Sequence, residues 1–381
     1  MAGRIGLFCG EQGYWFKDYY ENPFPSPYIP SPYYKLVEWI DPDTLDFSNL
    51  CRNPCAISFL SEPHNFYKIN WNILSGNPNA IQLINNALEQ YPEKINWSQL
   101  SGNPGAISLL ERHIDKIDWL MLSGNPGAIS LLERHIDKID WYRLSGNPSA
   151  IALLEQYPDK INWVTLSKNP EAIHLISNAL EHHPEKINWH FLSMNYKAIH
   201  LIEKELEKPS ETPSEWGKSN KIDWGWLAEN PNAIHLIRKK WEQTTDHTIL
   251  LMIYSRVCKN PNLRQLLKEM PGINIDIELF MLENARECDF WGLFTNPNAI
   301  HLICEIMQRE KINRGGMESE AMIPISSNPS IFTYDYDKMR ARCLIFKEDI
   351  IKNRFHPKNI HKFTSWGYED FSDFEDNDYY N

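Results

Sequence analysis

Residues 117–138 read Ile-Asp-Trp-Leu-Met-Leu-Ser-Gly-Asn-Pro-Gly-Ala-Ile-Ser-Leu-Leu-Glu-Arg-His-Ile-Asp-Lys, and most of the chain is a variation on them. Asp118 is an N-cap residue. Trp119 and Leu122, three apart, fall on one face of a short helix or 3₁₀ turn. Gly124 is expected to end that turn with a left-handed backbone. Asn125 is the next N-cap, and Pro126 suits the first helical position, where its missing N–H does no harm and its fixed φ helps. A second helix is predicted over about Pro126 to Ile136. At 100° per residue, Ala128, Ile129, Leu131, Leu132 and Ile136 share an arc of about 160°, while Ser130 and Glu133 lie outside it. One face is built for burial, and a unit this short cannot bury it alone.

Outward from this unit, Asn-Pro recurs with its proline at 54, 78, 104, 126, 148, 170, 231, 261, 297 and 329, and Asn195-Tyr196 fills the gap. A tryptophan column accompanies it at 71, 97, 119, 141, 163, 189, 224 and, more loosely, 291. Self-similarity at about 20 to 50 residues marks a solenoid, in which neighbours cover each other's apolar faces and the ends are specialised. The fold expected is all-α, an α-solenoid of short helix pairs in repeats of 22 to 26 residues. A leucine-rich-repeat horseshoe shares that period, but its strand needs two-residue alternation and Trp119/Leu122 do not alternate. The 26-residue units add four residues to the second helix, for example Asn85-Asn86-Ala87-Leu88. Four residues turn about 400°, so the apolar face stays aligned and the insertion is expected to be silent. Leu100–Trp119 and Leu122–Trp141 are identical over 20 residues, exposed positions included, which points to in-frame duplication.

The organisation expected is an aromatic, proline-rich tail or cap over residues 1–45, the array over 46–311, an atypical capping unit over 312–364 and an acidic aromatic tail over 365–381. The first tail holds a single Pro27-Tyr28-Ile29-Pro30, a polyproline-type match whose simplest reading is a loose or capping segment. In the last, Glu369, Asp370, Asp373, Glu375, Asp376 and Asp378 alternate with aromatics, as in a solvated segment or an anchor for a basic partner.

The 381 residues carry 38 Lys+Arg against 50 Asp+Glu, a net charge of −12, which argues against a nucleic-acid-coating role. No apolar run approaches the roughly 18 residues of a membrane span, and no signal-peptide core precedes Glu11. A soluble, unsecreted protein is expected. Seven scattered cysteines do not make a disulfide framework and fit a reducing compartment.

The Ile-Asn/Asp-Trp-x-x-Leu-Ser-x-Asn-Pro-x-Ala-Ile-x-Leu-Leu/Ile unit resembles the Asn-Pro-x-Ala-Ile repeat proteins that giant DNA viruses of the mimivirus kind encode in many copies. Ser327-Asn328-Pro329-Ser330-Ile331-Phe332-Thr333-Tyr334-Asp335-Tyr336 resembles that family's closing unit. The resemblance covers roughly residues 46 to 340. It implies a viral origin, host cytoplasm or virion as location, and a repeat scaffold with no catalytic residues. Glu203–Lys221 and Glu242–Glu287 depart from the pattern, and regular stacking is in question there. The unit is also similar in architecture to the short helix pairs of leucine-rich-variant repeats.

No phosphate loop, nucleophile elbow, His-Glu-x-x-His or paired-carboxylate signature occurs, so no catalytic residue, cofactor or metal is expected. His174, His200, His235 and His301 share a slot opposite the apolar face and are expected to be solvated. Helices about 8 to 10 Å apart make a shared zinc difficult. His113 and His135 are expected to complement helix C-termini. Cys51 and Cys55 replace ordinary repeat positions and have no second pair. Packing positions hold while others vary: Leu120/Met121, Tyr142/Arg143, Val164/Thr165 and His190/Phe191 after the Trp, and Gly127, Ser149, Glu171 and Lys197 after Asn-Pro or its equivalent. Tyr142, Arg143, Glu171, His174, His190, Lys197, His200 and His235 are therefore the candidate partner-binding residues of a protein-interaction scaffold. A virion component and a single-stranded-RNA-reading array are the alternatives.

Overall fold

The computed structural model describes residues 34–208, 221–245, 247–263, 265–266, 290–313, 318–341 and 344; the expectations for 1–33 and 365–381 lie outside them. Two compact units are distinguished, one holding the repeats within residues 36–333 and one taking residues 34–35 and those from 334 onward. In the second, Tyr34 stacks on Tyr334 with centroids 5.2 Å apart. The strands Tyr34–Leu36 and Phe332–Tyr334 pair into a two-stranded sheet, and helices and turns make up nearly everything else described. The all-α repeat solenoid is thus the observed fold, and the horseshoe with its strands is excluded.

Within the type unit, the leading helix Trp119–Ser123 starts where Asp118 accepts the N–H of Met121. Asn125 caps a 3₁₀ turn, Pro126–Ala128, by accepting the N–H of Gly127 at 3.0 Å. A trailing helix, Ile129–Glu133, and a second 3₁₀ turn, Ile136–Lys138, complete the repeat. The second helix expected as one piece is therefore three. Ala128 (φ −94°, ψ 2°) and His135 (φ −135°, ψ 51°) both lie off the α-helical region, so the chain bends on both sides of five helical residues. Leu122, Ala128, Leu131 and Leu132 are buried as expected, while Ile129 and Ile136 are only half-buried.

Gly124 has φ −83°, an ordinary right-handed value, and not the left-handed one expected. Lys168 fills the same slot with φ −84°. The slot needs neither a special backbone nor a missing side chain: a Cβ on Gly124 would meet Met121 O at 3.7 Å and the Arg143 side chain of the next repeat at 3.9 Å, ordinary contacts.

Asparagine and serine make the seams between repeats. Asn147 is 1% exposed, and its Nδ2 donates to Ser123 O at 3.1 Å and Asn125 O at 3.0 Å in the preceding repeat. Its Oδ1 meanwhile caps its own turn through the N–H of Ser149. Asn77, Asn103, Asn125, Asn169, Asn195, Asn230, Asn260, Asn296 and Asn328 reach back in the same way. The serine two residues earlier does the complementary work. Ser123 Oγ donates to Trp119 O (2.7 Å) and accepts the backbone N–H of Asp140, the next repeat's N-cap, at 2.9 Å. Where the serine is present, two buried polar columns thereby satisfy the seam's backbone groups, as buried polar groups require; Cys51, Ala228, Cys258 and Phe294 replace it at the other seams.

The first and last repeats complete these columns. Asn53 Nδ2 donates to Ser326 O (3.2 Å) and Asn328 O (2.9 Å), and the Asp46 N–H donates to Ser326 Oγ at 2.8 Å. The helix Phe47–Arg52 packs on Glu318–Ser326 as other leading helices pack on their predecessors, and Phe59 meets Phe332 with centroids 6.1 Å apart. The array therefore closes on itself through eleven asparagines among the described residues, and the specialised ends expected of a solenoid become each other's neighbours. The stretched units keep their place, since Asn230, Asn260 and Asn296 hold the same bonds to asparagines 35, 30 and 36 residues earlier.

The tryptophan column needs one correction. Counting six residues back from Asn296 puts Phe290 in the tryptophan slot and Trp291 in the following, outward slot, where it is 45% exposed. By the same count Phe47 and Met322 fill the slot in the first and last repeats.

Candidate functional site

Closure leaves the residues after each tryptophan as the variable part of the leading helices. The first variable slot points outward in successive repeats: Leu120 is 46% exposed, Tyr142 52% and Val164 38%, and His190 follows, also exposed. These four form a stripe because their helices, Trp119–Ser123, Trp141–Ser145, Trp163–Ser167 and Trp189–Met194, stack in order. The second slot is mixed. Arg143 is exposed, Met121 and Phe191 are half-buried, and Thr165 is buried with its Oγ1 donating to Tyr142 O at 2.8 Å. Thr165 thus belongs to the seam.

The remaining candidates are exposed, and most are engaged with each other or with neighbours. Glu171 and Lys197, one repeat apart, form an ion pair at 2.7 Å. His174 meets Glu155 at 2.8 Å and His235 meets Glu203 at 2.7 Å. His190 Nδ1 lies 2.7 Å from Asp223, and its ring approaches Trp226 edge-on at 5.8 Å. His200 and His301 are exposed in the same column as His174. These pairs link successive repeats across the surface and contribute about 0 to 1 kcal/mol each. Among the described residues no three His, Cys, Asp or Glu side chains gather in a way that could hold a metal ion.

His113 and His135 do not serve helix C-termini. They enter the second 3₁₀ turns and lean on their own repeats' tryptophans, with centroids 5.1 Å from Trp97 and 4.9 Å from Trp119. Tyr157 does the same to Trp141 at 5.3 Å. Lysines stand over several of these rings, Lys138 over Trp119 and Lys186 over Trp163. The tryptophan edge is a packed aromatic and cationic rim, which explains why most of these indoles are only half-buried.

Two features were not foreseen. The extra turn of the helix Ile81–Gln90 overhangs the four-residue helix Ile107–Leu110 and opens a cavity of about 750 Å³. Asn85, Leu88 and Glu89 wall it on one side, and Trp97, Leu109 and His113 on the other. The insertion is therefore in phase, as expected, but not silent. Glu89 and Glu93 face Arg112 and Lys116 around the opening, so the cavity has no net charge preference. The second feature is Lys168. It sits in the glycine slot, its Cε 3.4 Å from where a Cβ on Gly146 would stand and its Nζ 5.9 Å from the centre of the Phe191 ring. Burial, and then the charge of Arg143, push its pKa below the ordinary lysine value. In the sequence it reads as one break in a run of glycines.

Cys51 replaces the seam serine. Burial pushes its thiol up to about 11, against the opposing effect of the Asn70 N–H bond it accepts, and so disfavours the thiolate form. Among the described residues no helix is long and apolar enough to cross a membrane.

Fold and surface together define an all-α repeat protein with a recurrent asparagine seam and a variable outward stripe. No protein-family model matches the chain, and no curated protein or solved structure matches it either.

Proposed function

We propose that the protein is a non-catalytic protein-interaction scaffold of viral origin acting in the host cytoplasm. The observation that carries this reading is the stripe Leu120, Tyr142, Val164 and His190: side chains that differ from repeat to repeat stand exposed on helices whose seams scarcely change. Apolar groups exposed in a contiguous line on otherwise polar repeats mark a partner surface. The viral origin rests on the repeat resemblance alone. RNA reading is disfavoured by charge: the lysine column at 94, 116, 138, 160 and 186 is preceded residue by residue by Glu93, Asp115, Asp137, Asp159 and Glu185, which leaves that column without a net positive charge for phosphates.

Proximity labelling in infected cells tests the proposal, with wild type compared against the triple variant Leu120→Ser, Tyr142→Ser, Val164→Ser. A host protein labelled by the wild type and lost with the variant is expected. Equal labelling by both would remove the stripe from consideration, and enrichment confined to virion proteins would favour a packaged structural component instead.

A further inference from the structure

Arg143, within the helix Trp141–Ser145, and Lys168, at the end of the neighbouring helix Trp163–Ser167, are two of several described cations, Lys138 and Lys160 among them, without a carboxylate partner. Arg134, Lys197, Lys208, Lys221 and Arg256 each have a carboxylate partner within 4.0 Å. Arg143 and Lys168 have none among the described residues, although acidic residues outnumber basic ones 50 to 38 in the chain. The nearest acid on the same element, Asp140, uses its carboxylate to cap the helix through the Arg143 backbone N–H at 2.7 Å. Arg143 is close enough to disfavour the charged form of Lys168, which burial disfavours as well. Two like charges brought together across one seam without a counter-ion are unfavourable in the isolated molecule. Neither is required by the fold, since Met121 and Gln99 fill the first position elsewhere and glycine or Met194 the second. Apolar shoulders flank the pair: Tyr142 and Val164 on the exposed stripe, and the Phe191 ring beside Lys168.

We propose that Arg143 and Lys168 form a binding site for an acidic peptide segment of a partner protein, two carboxylates engaging the two cations while a neighbouring apolar side chain packs on Tyr142 and Val164. The assignment rests on the scaffold reading and specifies its ligand. Charge complementarity carries it: a guanidinium and an ammonium await anions, and a carboxylate meets a guanidinium through two parallel bonds. A nucleic acid fits less well, because two cations bordered by an aliphatic stripe offer a local contact and no groove along which a phosphate chain could continue.

The test is fluorescence anisotropy on the full chain with a labelled hexapeptide, Asp-Glu-Phe-Glu-Asp-Tyr, and its neutral counterpart Asn-Gln-Phe-Gln-Asn-Tyr, alongside a labelled single-stranded RNA. The acidic peptide is expected to bind more tightly than the neutral one and to weaken with added salt. The double variant Arg143→Gln, Lys168→Met should bind it at least about tenfold more weakly, as loss of paired charges at an interface does. Thermal unfolding of that variant at or above the wild-type temperature shows that the loss is not misfolding. Equal binding of the two peptides, full binding by the double variant, or retention of the RNA alone would overturn the assignment. If the acidic peptide fails while the stripe variant still loses its labelled host protein, this inference falls and the scaffold reading stands.

Discussion

The seam asparagine uses both ends of its amide, which explains why no similar residue serves. Its oxygen caps one repeat and its nitrogen donates twice to the previous one; serine lacks the reach and aspartate lacks the donors. Asn147→Ala should therefore leave Ser123 O short of its buried donor and uncap the turn at Pro148, at a cost of about 2 to 4 kcal/mol in urea unfolding. Asn147→Asp should cost at least as much, since it sets a carboxylate against two carbonyls. At Lys168 the sign is reversed. Its folded pKa lies below its unfolded value, so the charged form is penalised by folding, and wild-type stability should rise as pH climbs through the folded value toward that of an ordinary lysine. Lys168→Met, which copies Met194, should abolish that rise and stabilise the protein near neutrality by up to about 1 kcal/mol. Thermal unfolding followed across the alkaline range checks both. The N-cap and proline roles of Asn125 and Pro126 were legible in sequence because they are local. The outward donation of the same asparagine was not, because its acceptor, Ser101 O, lies 24 residues away.

Among elements, the difference between 22- and 26-residue repeats is one turn of the trailing helix. Removing Asn85–Leu88 would leave Ala-Ile-Gln-Leu-Ile-Glu-Gln-Tyr-Pro-Glu-Lys-Ile, nearly the sequence of Ala150–Ile161, and would bring Tyr91 to where Tyr157 rests on Trp141. The deletion variant should fold with a stability change under about 2 kcal/mol, because Ala87 is the main apolar group lost from the core, and the 750 Å³ cavity should disappear. Urea unfolding gives the first result and a crystal structure the second; collapse of the fold would show that the extra turn is structural. Helical periodicity made the phase of the insertion readable. What it could not reveal is the mismatch between a long helix and a short neighbour, which depends on which repeats stand side by side. The division of the second helix into three pieces was hidden for a related reason: the apolar pattern is the same for a continuous helix and for a short helix flanked by 3₁₀ turns.

For the whole array, closure changes the energetics. An open solenoid has two ends that fray and a stability that sums neighbour terms. A closed one has no terminal repeat, so the first asparagine should matter as much as any other. Asn53→Ala is expected to match Asn147→Ala in urea unfolding, within about 1 kcal/mol. Nothing in a repeat pattern distinguishes an open array from a closed one, since closure depends on small rotations accumulated over all the repeats. Ser326 and Asn328 carried the only hint, by keeping the seam residues in a unit that otherwise reads as a cap. The amide hydrogen of Asp46 provides the most direct test. In the closed array it is held by Ser326 Oγ at 2.8 Å, as the Asp140 amide is held by Ser123 Oγ at 2.9 Å. Residue-resolved hydrogen exchange should find the two comparably protected. Exchange of the Asp46 amide at the rate of an unstructured chain, with Asp140 still protected, would mean that the ends do not meet.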